Sequence, residues 1–459
     1  MHISYIQMVD FRLFREARLH LHGELCVFLG DNGSGKTSIL DALSLLISRF
    51  YPYCNYKPSL RSISYTEDDH RMKEIVSRRK KHTIHSEESG IVCILELDEW
   101  EGAERFGYLL SAGKKIKAEE EKASGTAQDL ANDLNRRVQS GEEGIPVVAY
   151  YGPHRGAAQG ARRRFGRRKA NYSNPFAAYE KAMNPSLDFE SFLEWFSEEQ
   201  AAESQEQKKD KNYVSQELQA VRNALTCIFS HTEHKLSDPR FEYHPKRFVM
   251  TQTLASGEQL DIKFDQLSDG YRSMIALVAD FARRLAIANQ MTEGNPLEGA
   301  GVLMIDEIDA HLHPKWQYRV MDDLRRAFPN VQIIVTTHSA QIASMVEQES
   351  VYILNTQDGI LEERHPEFQT QGNYPNDIEA EVMQTPELYR ENEFFQAYLS
   401  CLAAIQQGGI DTEAFDDVLK KVKKHYGENH PITQEVIAKS EGVKRRQKLL
   451  LRMKPWSAI

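Results

Sequence analysis

The chain has 459 residues, 41% of them hydrophobic and 27% charged, with a formal net charge of −10. That length allows two to four domain-sized units, and the acidic balance argues against non-specific attraction to nucleic acid over the whole surface. The five cysteines (Cys26, Cys54, Cys93, Cys227, Cys401) include no C-x-x-C pair, which argues against a zinc ribbon or a disulfide scaffold and fits a reducing compartment. Met1 to Asp10 lacks the basic start and apolar core of a secretory leader, and no run approaches the roughly 18 apolar residues of a membrane span. A soluble, cytoplasmic chain with no membrane contact is expected.

Residues 2–29 read as short strands, the last of them the continuous apolar run Leu25 to Leu29, as in a strand buried on both faces. A helix follows with Ile39, Leu43, Leu46, Ile47 and Phe50 on one stripe, ended by Pro52 and Pro58. Residues 66–90 are charged and predict a mobile insertion, and Ile91 to Leu97 a strand. After a glycine- and lysine-rich stretch, Pro146 to Gly152 reads as another buried strand and its turn. From about 155 to 245 the pattern is helical and polar, with an aromatic stripe of Phe189, Phe192, Trp195 and Phe196, and predicts a helical arm. Strands return at Phe248–Leu254 and Leu260–Phe264 around Ser256-Gly257. Residues 271–286 read as an amphipathic helix. Val302–Ile305 and Val331–Val335 are buried strands separated by a helix through Trp316, Val320, Leu324 and Phe328, an alternation that calls for a largely parallel α/β sheet. A hairpin around Asp358-Gly359 closes this part, and three helices (386–406, 412–426, 431–448) predict a separate α-helical appendage.

The chemistry gathers in four pieces. Gly30-Asp31-Asn32-Gly33-Ser34-Gly35-Lys36-Thr37-Ser38 follows a buried strand and opens a helix, the context that makes a P-loop match specific. Its glycines let backbone N–H groups turn towards phosphate oxygens at a helix N-terminus. Lys36 suits the β- and γ-phosphates of ATP and the Thr37 hydroxyl a Mg²⁺ ion. Asp306-Glu307 ends a buried strand, where α/β sheets bind ligands; Asp306 is expected to hold Mg²⁺ and Glu307 to polarise the attacking water. Leu267-Ser268-Asp269-Gly270 precedes a helix, and His338 closes a last apolar run. His311 and His313 beside Asp309 suit a metal only in an extended segment, and His82 and His85 lack a third ligand. Arg162-Arg163-Arg164-Phe165-Gly166-Arg167-Arg168-Lys169 stands open between a solvated loop and a phosphate or acidic-partner contact. Arg155, after the Tyr150-Tyr151-Gly152-Pro153-His154 turn, stands open between a nucleotide contact and a structural turn.

Together these pieces resemble ABC-type ATPase heads. Phe11-Arg12 and Asp306-Glu307-Ile308-Asp309-Ala310-His311-Leu312-His313-Pro314 place the resemblance in the RecF, SMC and OLD branch rather than with transporters. Asp269-Gly270-Tyr271 stands where transporters have Gly-Gly-Gln, and only Gln7 and Gln252 are nominees for a Q-loop. The resemblance implies that Ser268, Asp269 and Gly270 act in trans on the partner's ATP, that Asp309 lies at the dimer seam and that His338 senses the γ-phosphate, with Lys36, Glu307 and His338 as the catalytic set. It also implies a homodimer or higher assembly. Residues 360–459 lack the Glu-Gly strand and Asp-x-Asp pair of a Toprim nuclease. The tail Tyr374-Pro375-Asn376-Asp377-Ile378, with Pro386 and Arg390, is similar to the PtuA group of Septu and retron anti-phage ATPases. That implies a regulatory subunit restraining a separate effector, an HNH nuclease docked on the C-terminal helices, with retron RNA or DNA as a further possible partner. The alternative is a RecF/SMC-like ATPase of DNA repair or chromosomes. The architecture expected is an α/β head in two parts, 1–154 with a charged insertion and 247–365, an inserted helical arm at 155–246, and an α-helical domain at 366–459.

Overall fold

The computed structural model describes residues 1–57, 59–77, 80–87, 89–97, 104–112, 125–141, 144–153, 172–186, 189–232, 235–383, 392–408, 410 and 412–452. The chain forms two units, Met1–Met383 and Gln384–Ile459.

In the first unit, strands β1 (His2–Phe11) and β2 (Phe14–His20) form a hairpin. β3 (Leu25–Leu29), buried throughout, runs through the glycine loop into α1 (Lys36–Ile47). The charged segment expected to be mobile contains a hairpin of β4 (Met72–Ser77) and β5 (Lys80–His85). It is tied to the β1–β2 turn, because Lys73 Nζ and Ser86 Oγ both donate to Asp10 Oδ2, at 2.6 and 3.0 Å. β6 (Ser89–Leu97) and β7 (Glu104–Ala112) extend the antiparallel side. Then come α2 (Ala127–Ser140), started by a Thr126/Asp129 capping box and stopped by left-handed Gly141, and β8 (Val147–Tyr151).

Helices α3 (Phe189–Glu206) and α4 (Gln216–Phe229) lie in the segment expected as an arm. What is described of it packs into the head instead. Phe189, Phe192, Trp195 and Phe196 belong to the main core, with Phe189 stacked on Phe264 at 4.4 Å and Phe196 edge-on to Phe248 at 5.4 Å. An aromatic stripe of that size has to be covered, and a small antiparallel sheet does so: β9 (Leu236–Tyr243), β10 (Lys246–Thr253) and β11 (Gln259–Lys263), in the order β11-β10-β9. β9 was hidden in the helical reading because it is an edge strand carrying Pro239 and faces a break in register between Val249 and Thr251.

The remaining elements of the head are α5 (Asp269–Ala288), β12 (Gly301–Ile305), α6 (Pro314–Gln317), α7 (Val320–Ala327), β13 (Val331–Thr336), α8 (Ala340–Ala343), β14 (Val351–Gln357), β15 (Ile360–Arg364) and α9 (Pro375–Asp377). The single helix expected from Trp316 to Phe328 is two, α6 and α7, broken at Tyr318-Arg319. The main sheet has the order β7-β6-β1-β2-β15-β14-β3-β13-β12-β8, and β14, β3, β13, β12 and β8 are parallel. It rolls around α1: Ile3 N–H donates to Gln332 Oε1 of β13 at 2.7 Å, and Gln332 Nε2 donates back to Ile3 O at 3.0 Å. The head continues to Met383 rather than stopping at 365, because Ile378 and Val382 join the main core and Thr370 Oγ1 donates to Val346 O at 2.7 Å.

The second unit holds α10 (Glu393–Gln406), α11 (Glu413–Tyr426) and α12 (Pro431–Arg452) around a small core of its own that includes Cys401, Ile410, Phe415, Val422 and Val436. No helix among the described residues is long and apolar enough to cross a membrane.

Candidate functional site

Parallel register brings the ends of β3, β13, β12 and β8 to one edge of the sheet, and residues far apart in sequence meet there. The glycine loop turns at Gly33 and Gly35, both at positive φ, and a Cβ at Gly35 would collide with the Phe14 ring of the β1–β2 hairpin. Thr356 of β14 holds the loop from the other side, donating to Ser34 O at 2.8 Å. Lys36 Nζ is folded into the loop, donating to Gly30 O at 2.7 Å and Asp31 O at 2.9 Å. Burial pulls the pKa of this ammonium down, against the attraction of Asp306, Asp31, Glu307 and Asp309.

Thr37 Oγ1 donates to Asp306 Oδ2 at 2.8 Å across 269 positions of sequence. The hydroxyl and carboxylate expected to share a cation are therefore adjacent, a hard-oxygen pair of the kind Mg²⁺ takes. Asp306, 1% exposed, also accepts a bond from Thr336 Oγ1. Glu307 lies in the left-handed region at φ 47°, with its N–H held by Thr336 Oγ1 at 2.8 Å, so the backbone turns sharply where the second carboxylate leaves the strand. Asp309 Oδ1 accepts from Thr337 Oγ1 at 2.6 Å and from the His338 N–H at 3.3 Å, fixing the half-buried His338 beside the carboxylates.

The sequence reading missed Thr336 and Thr337, and Asp41 on α1; the Thr-Thr pair directly before His338 was the only signal for the first two. Asp41 is paired with Arg12, which also donates to Asp69 Oδ1 at 3.0 Å, and it meets the hydroxyl of Tyr150, whose pKa is pushed up by burial and by Asp41 and Asp306. Ser38 is buried in the first turn of α1.

Ser268 and Asp269 are exposed at the start of α5, and the Ser268 side chain makes no capping bond there. Asp269 pairs with Arg272. Gly270 is buried, and a Cβ on it would strike the His311 carbonyl oxygen. His313 Nδ1 accepts the Lys315 N–H at 3.3 Å as the cap of α6. Gln7 lies on β1 and Gln252 on β10, in different sheets. Arg162–Lys169, His154, Arg155, Pro386, Arg390 and the His82 side chain lie outside the described residues.

A phosphate loop and an acidic strand end on one rolled sheet, together with an exposed signature turn at the start of α5, define the chain as an ABC-type P-loop ATPase head of the RecF/SMC-like branch. Residues 25–344 match the family described as "AAA domain, putative AbiEii toxin, Type IV TA system", and the chain belongs to that family. The retron Vc95 probable ATPase of Vibrio cholerae is 26% identical over 92% of this chain and 87% of that protein. The retron Ec83 probable ATPase of Escherichia coli is 24% identical over 72% of this chain and 66% of that protein. The Septu protein PtuA of Bacillus mycoides is 35% identical over 21% of this chain and 13% of that protein. Among solved structures, an SMC head bound to the C-winged helix domain of ScpA is 12% identical at a TM-score of 0.42, over 80% of this chain and 98% of that one. The class rests on strand order and site geometry rather than on that overlap.

Proposed function

We propose that the chain is the ATP-binding, slowly hydrolysing regulatory subunit of a cytoplasmic anti-phage complex that controls a separate effector, an HNH nuclease docked on α10–α12. The observation that carries this reading is the likeness to the retron Vc95 ATPase. It spans 92% of the chain, more than the head's 383 residues can supply, and so reaches into the C-terminal unit.

In this reading the loop from Gly30 to Ser38 wraps the triphosphate and Lys36 leaves its two carbonyls for the β- and γ-phosphates. Thr37 and Asp306 hold Mg²⁺, which when bound neutralises charge building on the phosphate oxygens. Glu307 orients and polarises the attacking water, and His338, fixed through Asp309, senses the γ-phosphate. Ser268, Asp269 and Gly270 complete the ATP site of a second copy across a head-to-tail seam that Asp309 borders. The exposure of Ser268 and its uncapped helix start fit that use. Closure repositions the effector's dock, and hydrolysis or loss of nucleotide releases it.

The test is purification from the native locus, with co-purifying proteins and nucleic acid identified by mass spectrometry and sequencing. A stoichiometric nuclease or retron component supports the proposal; a lone chain carrying DNA favours a repair ATPase and overturns it.

A further inference from the structure

A second group of charges lies inside the head, away from solvent. Asp280, on the signature helix α5, is 1% exposed. It accepts from Arg283 Nη2 at 2.5 Å and from Arg284 Nε at 2.8 Å, and both arginines are almost completely buried. Removing three ions from water costs more than such pairs ordinarily return, and apolar side chains of similar volume often stabilise a core better. A cluster of this kind is weak evidence for added stability over an apolar core, so its connections are the better guide to its use.

Tyr151 is where the cluster meets the nucleotide site. Its hydroxyl donates to Asp280 Oδ2 at 2.8 Å, and its carbonyl accepts the N–H of Asp306 at 2.8 Å. One residue thus grips the strand end that carries the Asp306 carboxylate with its backbone and the signature helix with its side chain. Arg284 carries the connection further, since its Nη1 donates to the carbonyls of Ala178 at 2.6 Å and Glu180 at 2.9 Å, on the turn around Pro175–Tyr179. At its start, α5 touches the loop after Asp306 a second time, where Gly270 meets the His311 carbonyl. The helix meets the Asp306–His311 region directly near its N-terminus and through Tyr151 at its middle. Ser268 lies about 18 Å along the axis from Asp280, so a tilt of about 3° there moves Ser268 by about 1 Å. A displacement of about that size is enough to cost about a hundredfold in a reaction that depends on alignment.

We infer that Tyr151 is a positioning residue for the signature turn: it passes the placement of the Asp306 strand end to α5 and so sets where Ser268 and Asp269 stand towards a second copy of this chain. The inference rests on the ATPase reading above.

The experiment uses the full chain with Tyr151→Phe, which keeps the ring in place and leaves Asp280 its two arginines. ATP affinity, kcat and KM are measured with Mg²⁺, and ATP-dependent self-association is measured with Glu307→Gln added. Expected are an ATP Kd within about twofold of wild type, a kcat lower by about tenfold or more, and self-association weaker by about tenfold. A purely structural tyrosine would lower the melting temperature and leave kcat intact below it. The inference is overturned by kcat and self-association within about twofold of wild type, or by a Kd that worsens in step with kcat. Should Tyr151→Phe not fold, Asp280→Glu keeps the charge but moves the acceptor, and the same split between Kd and kcat decides. A wild-type chain that neither binds nor hydrolyses ATP overturns the ATPase reading and this inference with it, whereas an active wild type matched by Tyr151→Phe overturns this inference alone.

Discussion

Lys36 Nζ sits between two loop carbonyls, where it satisfies itself at the cost of partial burial and a lowered pKa. On the proposed reading a triphosphate in the loop replaces those neutral acceptors with charged ones, and Lys36→Ala takes away a charge-assisted bond to the ligand. ATP affinity should fall by about a hundredfold or more in that variant, read by calorimetric titration. Glu307→Gln keeps the size and the strained turn but loses the charge that polarises water in the proposed mechanism. Binding should persist while turnover drops by about a thousandfold, and unchanged hydrolysis would remove Glu307 from the catalytic set. Asp280 carries the acid response. Burial alone would raise its pKa, but Arg284 and Arg283 outweigh burial and hold it down at about 2, below the ordinary 3.8. A carboxylate depressed in the folded state stabilises above its unfolded pKa, and that contribution is lost as pH falls from about 4 towards 2. The loss is about 2 kcal/mol, and urea midpoints across that range should show it. The P-loop, Asp306-Glu307 and His338 were legible because each is a short pattern with fixed chemistry at the end of an apolar run. Thr336, Thr337 and Asp41 were not, since a lone hydroxyl or carboxylate acquires meaning only through the partner folding brings to it.

At the scale of elements, α5 does two jobs. Its apolar face packs into the core, and its first turn presents Ser268 and Asp269 to solvent. Gly270 allows the approach to His311 that makes both possible. Gly270→Ala should therefore displace the first turn at a cost of about 1–3 kcal/mol, measured by chemical denaturation, and reduce ATP-dependent self-association more than ATP binding itself. Unaltered stability and association would mean that the turn absorbs a methyl group freely. The periodicity of α5 and the apolar runs of β3, β12 and β13 were plain in the sequence, because burial on both faces makes a strand mostly apolar, Gln332 of β13 being paired with Ile3. The β4–β5 hairpin and β9 were not. One is charged and held by ion pairs to Asp10, and the other is an edge strand with a proline, so neither writes an alternating pattern.

On the scale of the whole molecule, the proposed dimer makes the exposed signature face its seam. In the Glu307→Gln background, ATP with Mg²⁺ should convert monomer to dimer in sedimentation, and Ser268→Arg should block that conversion while leaving ATP affinity within about twofold. A dimer that forms without nucleotide, or survives Ser268→Arg, would place the seam elsewhere.

The sequence by itself determined the class of this protein, its phosphate loop, its acidic strand end and a separate helical tail. These depend on local pattern: glycines where the backbone must turn, carboxylates after buried strands, amphipathic stripes on helices. Only the tertiary structure decided that the supposed arm belongs to the head's core, that the head runs on to Met383, and that Tyr151 joins Asp306 to Asp280. Those depend on contacts between residues distant in sequence, whose partners no local pattern specifies.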